Sequence, residues 1–442
     1  MLVDLIDGVR GVTALKENWE EVYALDKEAQ IFLSFDWMSR WLAQLTIAWT
    51  VMAVKPAEGA RYVAFLPVQL RVGENKDGTF FNTIRMGGMD YATYTGILCD
   101  PRHEEEAISA IAGKLKSMNW TYLHLDDFCA SPERLKRFLG HFENKDFARI
   151  VKKRPVHVTD EGQDIDHNIY VRVPLPGDWE TYLQNQLKTN TRRDVRAFLR
   201  KVEGGEDYRV TVADEETYER DFNALMGLWR AQWEKKDKTY AGFIDHNTRK
   251  MLAPMAKPGQ VFLPVLWQGD RPIGAHVALV DRVQKTLMCL LVSRDLTVKK
   301  PPPGLVLHAY SIRWAIEQGF TYYDLLRGNF TYKYSFGPEE RRFECLRINT
   351  ANAKNIGNRL EPRAIHICVG LAQKYLRAGK RGEAERAFRQ ILEADPNNAE
   401  AKLSFSAAGN GQMINLAAKF RRRWRCTIGA TAIRPRSSTA PF

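Results

Sequence analysis

Two stretches of this 442-residue chain pass through the same order of elements, and that order limits the fold more than any single motif does. In the first, helical patterns at Trp19–Leu25 and Asp36–Gln44 precede strand patterns at Thr50–Lys55 and Tyr62–Arg71, joined by a Pro/Gly turn at 56–59. A strand pattern at Tyr94–Cys99 leads to a helix that opens after Asp100-Pro101 and runs to Met118, with Glu104, Glu105 and Glu106 in its first turn. Acids there suit the positive end of the helix dipole. Tyr122–Leu125 then reads as a strand. In the second stretch, helices are expected at Leu187–Val202, Glu215–Glu234 and His246–Met255, and strands at Gln260–Trp267, Gly274–Asp281 and Thr286–Val292. A helix at Gly304–Gln318 and a strand at Phe320–Leu326 complete it. Antiparallel runs, then a helix, then a strand is not the pattern of a doubly wound sheet. It predicts an α+β fold of two modules, residues 1–158 and 165–350, each a mixed, mostly antiparallel sheet flanked by helices.

Composition excludes several classes. At 45 % hydrophobic and 27 % charged, the chain is neither fibrous nor disordered throughout. Its six cysteines form no C-x-x-C pair and no metal-spaced set, so they read as reduced, packed thiols. The first residues lack the basic and apolar regions of a signal peptide, and Trp41–Val54 is too short and too polar to span a bilayer. A cytoplasmic protein is expected. Of the net charge of +12, the tail from Ser406 carries seven Lys and Arg and no acid, so the basic balance is mostly a tail property and nucleic acid is not an expected partner. That tail, 406–442, reads as poorly ordered. Just before it, residues 363–405 carry two helical stripes around Gly379, ending at Asp395-Pro396, with the spacing of one tetratricopeptide unit. A single unit cannot bury both its faces, so it is expected to dock on the second module or on another chain.

Three constellations can carry chemistry. In Lys299-Lys300-Pro301-Pro302-Pro303-Gly304-Leu305-Val306, prolines stop one element where a helix begins. The backbone N–H groups of Gly304, Leu305 and Val306, with Lys299 and Lys300 beside them, would suit a pyrophosphate; the plain alternative is a buried crossover helix with a Pro-rich approach. In Asp324-Leu-Leu-Arg327-Gly328 and the following Tyr332-Lys333, a strand end gathers polar groups. Asp324 would serve as base or orienter, Tyr332 as acid, and Arg327 and Lys333 as anion holders; the alternative is a salt bridge from Asp324 to Arg327 or Lys333. Lys188, Arg192, Arg196 and Arg200 lie on one helix face, which is either a solvated face or a surface for a phosphate-rich substrate. His308 reads as no more than a surface residue, and the glycine-rich Met86–Tyr91 as a turn. The absence of GxGxxG, P-loop, HExxH and Gly-x-Ser-x-Gly motifs counts against dinucleotide enzymes, NTPases, zinc proteases and α/β-hydrolases.

Together, Pro303-Gly304-x-x-Leu307, Gly319-Phe320, Tyr323-Asp324, Arg327-Gly328 and Tyr332-Lys333 resemble the signature of GNAT-superfamily acyltransferases of the CelD type, linked to cellulose and exopolysaccharide biosynthesis. The arginine-rich helix at Thr191–Lys201 and Gln232-Trp233 also match that pattern. The resemblance implies two tandem GNAT-like modules and a splayed sheet gripping acyl-coenzyme A, such as acetyl-coenzyme A, with its pyrophosphate on the helix at Gly304. It implies direct attack by an amine or hydroxyl acceptor, a small molecule or glycan precursor, and no metal. Arg192 and Arg196 would then join Arg327 and Lys333 in holding substrate. One alternative is a Fem-type transferase, which also has doubled GNAT modules but takes an aminoacyl group from tRNA. Another is a non-catalytic scaffold in polysaccharide assembly, recruiting a protein partner through the tetratricopeptide-like unit.

Overall fold

The computed structural model describes residues 1–409 apart from 90–91, 155–156, 160–161, 206, 235–237 and 253–258. The N-terminal part supplies strands β1 (Leu2–Ile6), β2 (Ala48–Lys55), β3 (Ala64–Glu74), β4 (Phe80–Met86), β5 (Leu98–Cys99), β6 (Tyr122–Leu125) and β7 (Phe147–Lys152). Its helices are α1 (Val9–Thr13), α2 (Lys16–Leu25), α3 (Phe35–Gln44), α4 (Glu104–Lys116) and α5 (Pro132–Gly140). A two-stranded hairpin, β8 (His157–Val158) and β9 (Asp164–Ile165), leads into the second module. That module contains β10 (Ile169–Pro174), β11 (Tyr208–Val212), β12 (Val261–Phe262), β13 (Pro264–Gln268), β14 (Arg271–Asp281), β15 (Thr286–Arg294), β16 (Tyr322–Arg327) and β17 (Glu339–Arg342). Its helices are α6 (Trp179–Asn185), α7 (Thr189–Glu203), α8 (Tyr218–Trp233), α9 (Lys238–Leu252) and α10 (Pro303–Glu317). A last strand, β18 (Cys345–Thr350), follows.

Both sheets are mixed. The first runs β1-β2-β3-β4-β6-β18-β7, with β4 and β6 parallel on either side of α4 in the chain; the second runs β11-β13-β14-β15-β16-β10-β17, with β15 and β16 parallel on either side of α10. A strand, a crossover helix and a parallel neighbour thus recur in both modules, as the repeated sequence order predicts.

The module boundary differs from the one read at 350. β18 lies in the first sheet, antiparallel between β6 and β7, so the chain returns to complete the module it had left. An apolar core joins the two modules: Phe32, Trp37 and Tyr94 pack with Tyr170, Phe222 and Phe343. Residues 1–71 and 82–358 form one compact unit for these reasons. The strand expected at Tyr94–Cys99 is paired in ladder fashion only at Leu98–Cys99, because Tyr94 turns into that shared core.

The second compact unit comprises residues 72–81 and 359 onward. It holds α11 (Ile365–Arg377), α12 (Arg381–Ala394) and α13 (Ala399–Gly409). The two-helix hairpin expected there does not stand alone. α13 packs on α11 and α12, and the 72–81 segment brings Phe80 into the same core, where it stacks on Tyr375 at 6.1 Å. The Phe80 backbone also exchanges hydrogen bonds with the Gln390 amide at 2.7 and 2.9 Å. Ser406–Gly409 continue α13, and the rest of the basic tail lies outside the described residues. No helix among the described residues is long and apolar enough to cross a membrane.

Candidate active site

β15 and β16 stay paired for only three residues, Thr286↔Tyr322, Leu287↔Tyr323 and Met288↔Asp324. Beyond them β15 continues from Cys289 to Arg294, while β16 continues to Arg327 bonded to β10 on its far side. The sheet therefore opens between two of its central strands. Along the opening, β15 bulges: Val277 pairs with Leu291 and Ala278 with Cys289, leaving Leu290 as the extra residue. Backbone groups of Cys289–Val292 on the side of β16 are released from the ladder, which frees polar donors inside a largely apolar wall.

α10 begins at this opening. Prolines at 301, 302 and 303 have no N–H, and no side chain caps the helix. Val306 N–H donates to the Pro302 carbonyl at 3.2 Å, so it belongs to the helix's own ladder and is not free for a ligand, contrary to the expectation for that residue. The first-turn donors are then Gly304 and Leu305. Gly274 brings the helix start close: a Cβ on Gly274 would lie 2.8 Å from Pro303 and 3.0 Å from Leu307. Lys299 and Lys300 are exposed beside the helix, and Arg294, at the end of β15, reaches to within 3.8 Å of where a Gly304 Cβ would sit. No acid occupies the first turn of α10. The corresponding helix of the first module, α4, opens with Glu104, Glu105 and Glu106, which would repel a phosphate. The charge pattern favours the second module for an anionic carrier.

Asp324 is buried (4 % exposed) at the end of the paired segment. It accepts the Tyr94 hydroxyl at 2.9 and 3.1 Å and the Leu326 N–H at 2.7 Å. Burial pushes its carboxyl above the usual range, partly opposed by the Leu326 N–H, Tyr94 and the charges of Arg341 and Lys333. The bond to Leu326 holds that residue at φ +60°, a left-handed conformation that a leucine adopts only when its surroundings enforce it. Asp324 therefore shapes the strand end, and neither Arg327 nor Lys333 forms a salt bridge with it. Arg327 lies 3.6 Å from Asp127 of the first module, which also accepts from Arg154 and Tyr170.

Lys333 is 2 % exposed. Its Nζ donates to the carbonyls of Leu326 (3.2 Å) and Arg327 (2.8 Å), and burial pulls its pKa down to about 7. Tyr332, next to it in a 3-10 turn over 331–336, is 47 % exposed as a residue. Its ring nevertheless stacks inward on His308, 5.6 Å between centroids, and desolvation raises its phenol pKa.

His308 is a correction to the sequence reading. It is 1 % exposed, hydrogen-bonded through Nδ1 to Tyr323 at 2.7 Å, and packed beside His276. Arg192 and Arg196 are occupied elsewhere: Arg192 reaches the Gln184 carbonyl at 3.2 Å near the end of α6, and Arg196 pairs with Glu180. Sequence reasoning missed Tyr94, Arg294, His276 and Arg341. A 230-residue separation hides the Tyr94–Asp324 contact, whereas Arg294, ending a strand just before the Lys-Lys-Pro run, carried a legible signal.

The architecture is that of tandem GNAT-like modules. Residues 189–334 match the acetyltransferase (GNAT) domain family, from the start of α7 to the turn that carries Tyr332 and Lys333. The second module thus contains a GNAT-type acyltransferase domain. No curated protein sequence matches the chain. Among solved structures, the chain is similar to the crystal structure of FemX at a TM-score of 0.53 and 10 % identity, covering 76 % of this chain and 96 % of that one. It also resembles a tandem GNAT protein from the clavulanic acid biosynthesis pathway (TM-score 0.42, 12 % identity, covering 79 % of this chain and 99 % of that one). A third likeness is to the C-terminal domain of a lysylphosphatidylglycerol synthetase from Agrobacterium fabrum (TM-score 0.43, 11 % identity, covering 77 % and 94 %).

Proposed function

We propose that the second module transfers an acyl group from an acyl-coenzyme A thioester to an amine or hydroxyl acceptor. The observation that carries this reading is the three-residue pairing of β15 with β16, which opens the sheet at the start of an uncapped helix. A thin, extended carrier fits such an opening, with its pyrophosphate at the N–H groups of Gly304 and Leu305 and near Arg294, Lys299 and Lys300. A backbone N–H released at the Leu290 bulge would meet the carbonyl oxygen as negative charge develops on it.

Asp324 acts here as an orienter, committed to Tyr94 and Leu326. Lys333 is the group matched to the acceptor's proton. As a neutral amine it satisfies the Leu326 and Arg327 carbonyls with its two N–H bonds and keeps a lone pair, and a pKa near 7 suits proton transfer at neutral pH. Tyr332, whose buried phenol stays protonated, would hydrogen-bond the departing thiolate, which takes up the proton that Lys333 removes from the acceptor. The acceptor would enter from the side of Arg327, and a sugar or cell-envelope precursor is one candidate class.

Isothermal calorimetry with acetyl-coenzyme A tests the reading, followed by thiol release with amine and hydroxyl acceptors. Gly304→Val should weaken binding by tenfold or more, while Lys333→Met should retain binding and lose turnover. No binding at millimolar ligand would remove the proposal. The alternative, an aminoacyl-tRNA donor, requires tRNA binding that weakens steeply with salt.

A further inference from the structure

We infer that His276, Cys289 and His308 form a tridentate site for a borderline-soft divalent cation of the Zn2+ class. The three residues come from β14, β15 and α10, so rigid elements fix the positions of all of them. Each is at most 5 % exposed. One ring nitrogen from each histidine and the Cys289 Sγ lie within 4.8 Å of one another. Tetrahedral zinc, with metal–nitrogen distances of about 2.0 Å and metal–sulfur of about 2.3 Å, places two nitrogens and a sulfur roughly 3.3–3.5 Å apart, a closure of at most about 1.5 Å.

The hydrogen bonds assign the donor atoms. Ser311 donates its single proton to the Leu307 carbonyl at 2.8 Å. Toward His276 Nε2, also at 2.8 Å, it then offers only a lone pair, so Nε2 carries the ring proton. His276 Nδ1 is left with an unprotonated lone pair, fully buried, and no described group hydrogen-bonds to it. A buried acceptor of this kind costs stability unless something meets it. His308 is arranged in parallel: Nδ1 faces the Tyr323 hydroxyl at 2.7 Å, which leaves Nε2 as its other donor. Tyr323 also hydrogen-bonds Cys289. With an ion bound, His308 Nδ1–H donates to Tyr323, and Tyr323 donates its proton to the thiolate. Both histidines thus have a hydroxyl partner on the nitrogen away from the ion, an arrangement that orients metal-bound imidazoles. Tyr332, half-exposed as a residue with its ring stacked on His308, lies between this cluster and the surface.

This inference does not depend on the acyl-transfer reading. The test uses the full chain, stripped with chelator and titrated with Co2+ as a spectroscopic probe and with Zn2+ in calorimetry. The expected result is one ion per chain, a thiolate-to-cobalt charge-transfer band in the near ultraviolet, and loss of that band in Cys289→Ser. Ser311→Ala should weaken Zn2+ binding by roughly 10–100-fold. The wild-type Co2+ spectrum needs no variant, so a misfolded Cys289→Ser leaves the test standing. A wild-type protein with no stoichiometric ion, a cobalt spectrum without a thiolate band, or a band that survives Cys289→Ser would each overturn the assignment. The cluster would then be a neutral buried core in which the Cys289 thiol bonds to Tyr323.

Discussion

The buried Lys333 makes a quantitative prediction about stability and pH. In the unfolded chain a lysine titrates near its ordinary value of 10.5, and in the folded protein burial lowers this to about 7. The drop from 10.5 to about 7 corresponds to roughly 5 kcal/mol of unfavourable burial of the charged form. Below pH 7 both states carry the proton and the whole cost falls on the folded protein. As pH rises from 7 to 10.5 the folded state has released its proton while the unfolded state still binds one, so stability rises with pH. The cost is gone above 10.5. Between pH 7 and pH 9 the wild type should gain about 2 kcal/mol relative to Lys333→Met, whose side chain does not titrate. The variant also loses the two hydrogen bonds to the Leu326 and Arg327 carbonyls, but that loss is constant over the same range and shifts the curve without tilting it. Urea midpoints measured at pH 7, 8 and 9 for both proteins report the tilt, on the order of half a molar for a unit of this size. Parallel midpoints across that range would refute a depressed lysine.

Two further outcomes follow from how the modules are joined. Tyr94→Phe and Asp324→Asn should each destabilise the protein by about 1–3 kcal/mol, and a double-mutant cycle should return a coupling of at least 1 kcal/mol, because the hydroxyl and the carboxylate satisfy each other in the core. Additive denaturation energies would show that the contact is not energetically real. A fragment ending at Val158 lacks β18, the strand between β6 and β7. It should show no cooperative unfolding transition by circular dichroism, and a chain running to Asn358 should restore one; a well-folded 1–158 fragment would contradict the shared sheet.

The parts of this molecule that sequence made legible are those whose determinants lie close together along the chain. α10 was readable because prolines mark its start, Gly319 marks its end, and Leu305, Ala309, Ile312 and Ile316 recur at helical spacing. β14 and β15 were readable as long apolar runs. β7 was not: its residues from Ala148 to Val151 are exposed, so it has no alternating apolar face to detect. β18 has a strand's pattern, but period-two alternation says only that one face is buried and nothing about which sheet supplies the neighbours. The candidate site divides in the same way. Asp324, Tyr332 and Lys333 cluster because one strand and the turn after it carry all three, so their grouping was visible in nine consecutive-numbered steps of chain. Their chemistry was not visible, since it depends on burial and on distant partners. The sequence leaves Asp324 open as base or orienter, and the contact that bears on the choice is with Tyr94, 230 residues earlier; Lys333 reads as an anion holder, whereas its burial and its bonds to two backbone carbonyls depend on the folded turn. Long-range closure is what separates the two residues, and under the proposed reaction it favours Lys333 over Asp324 for proton transfer.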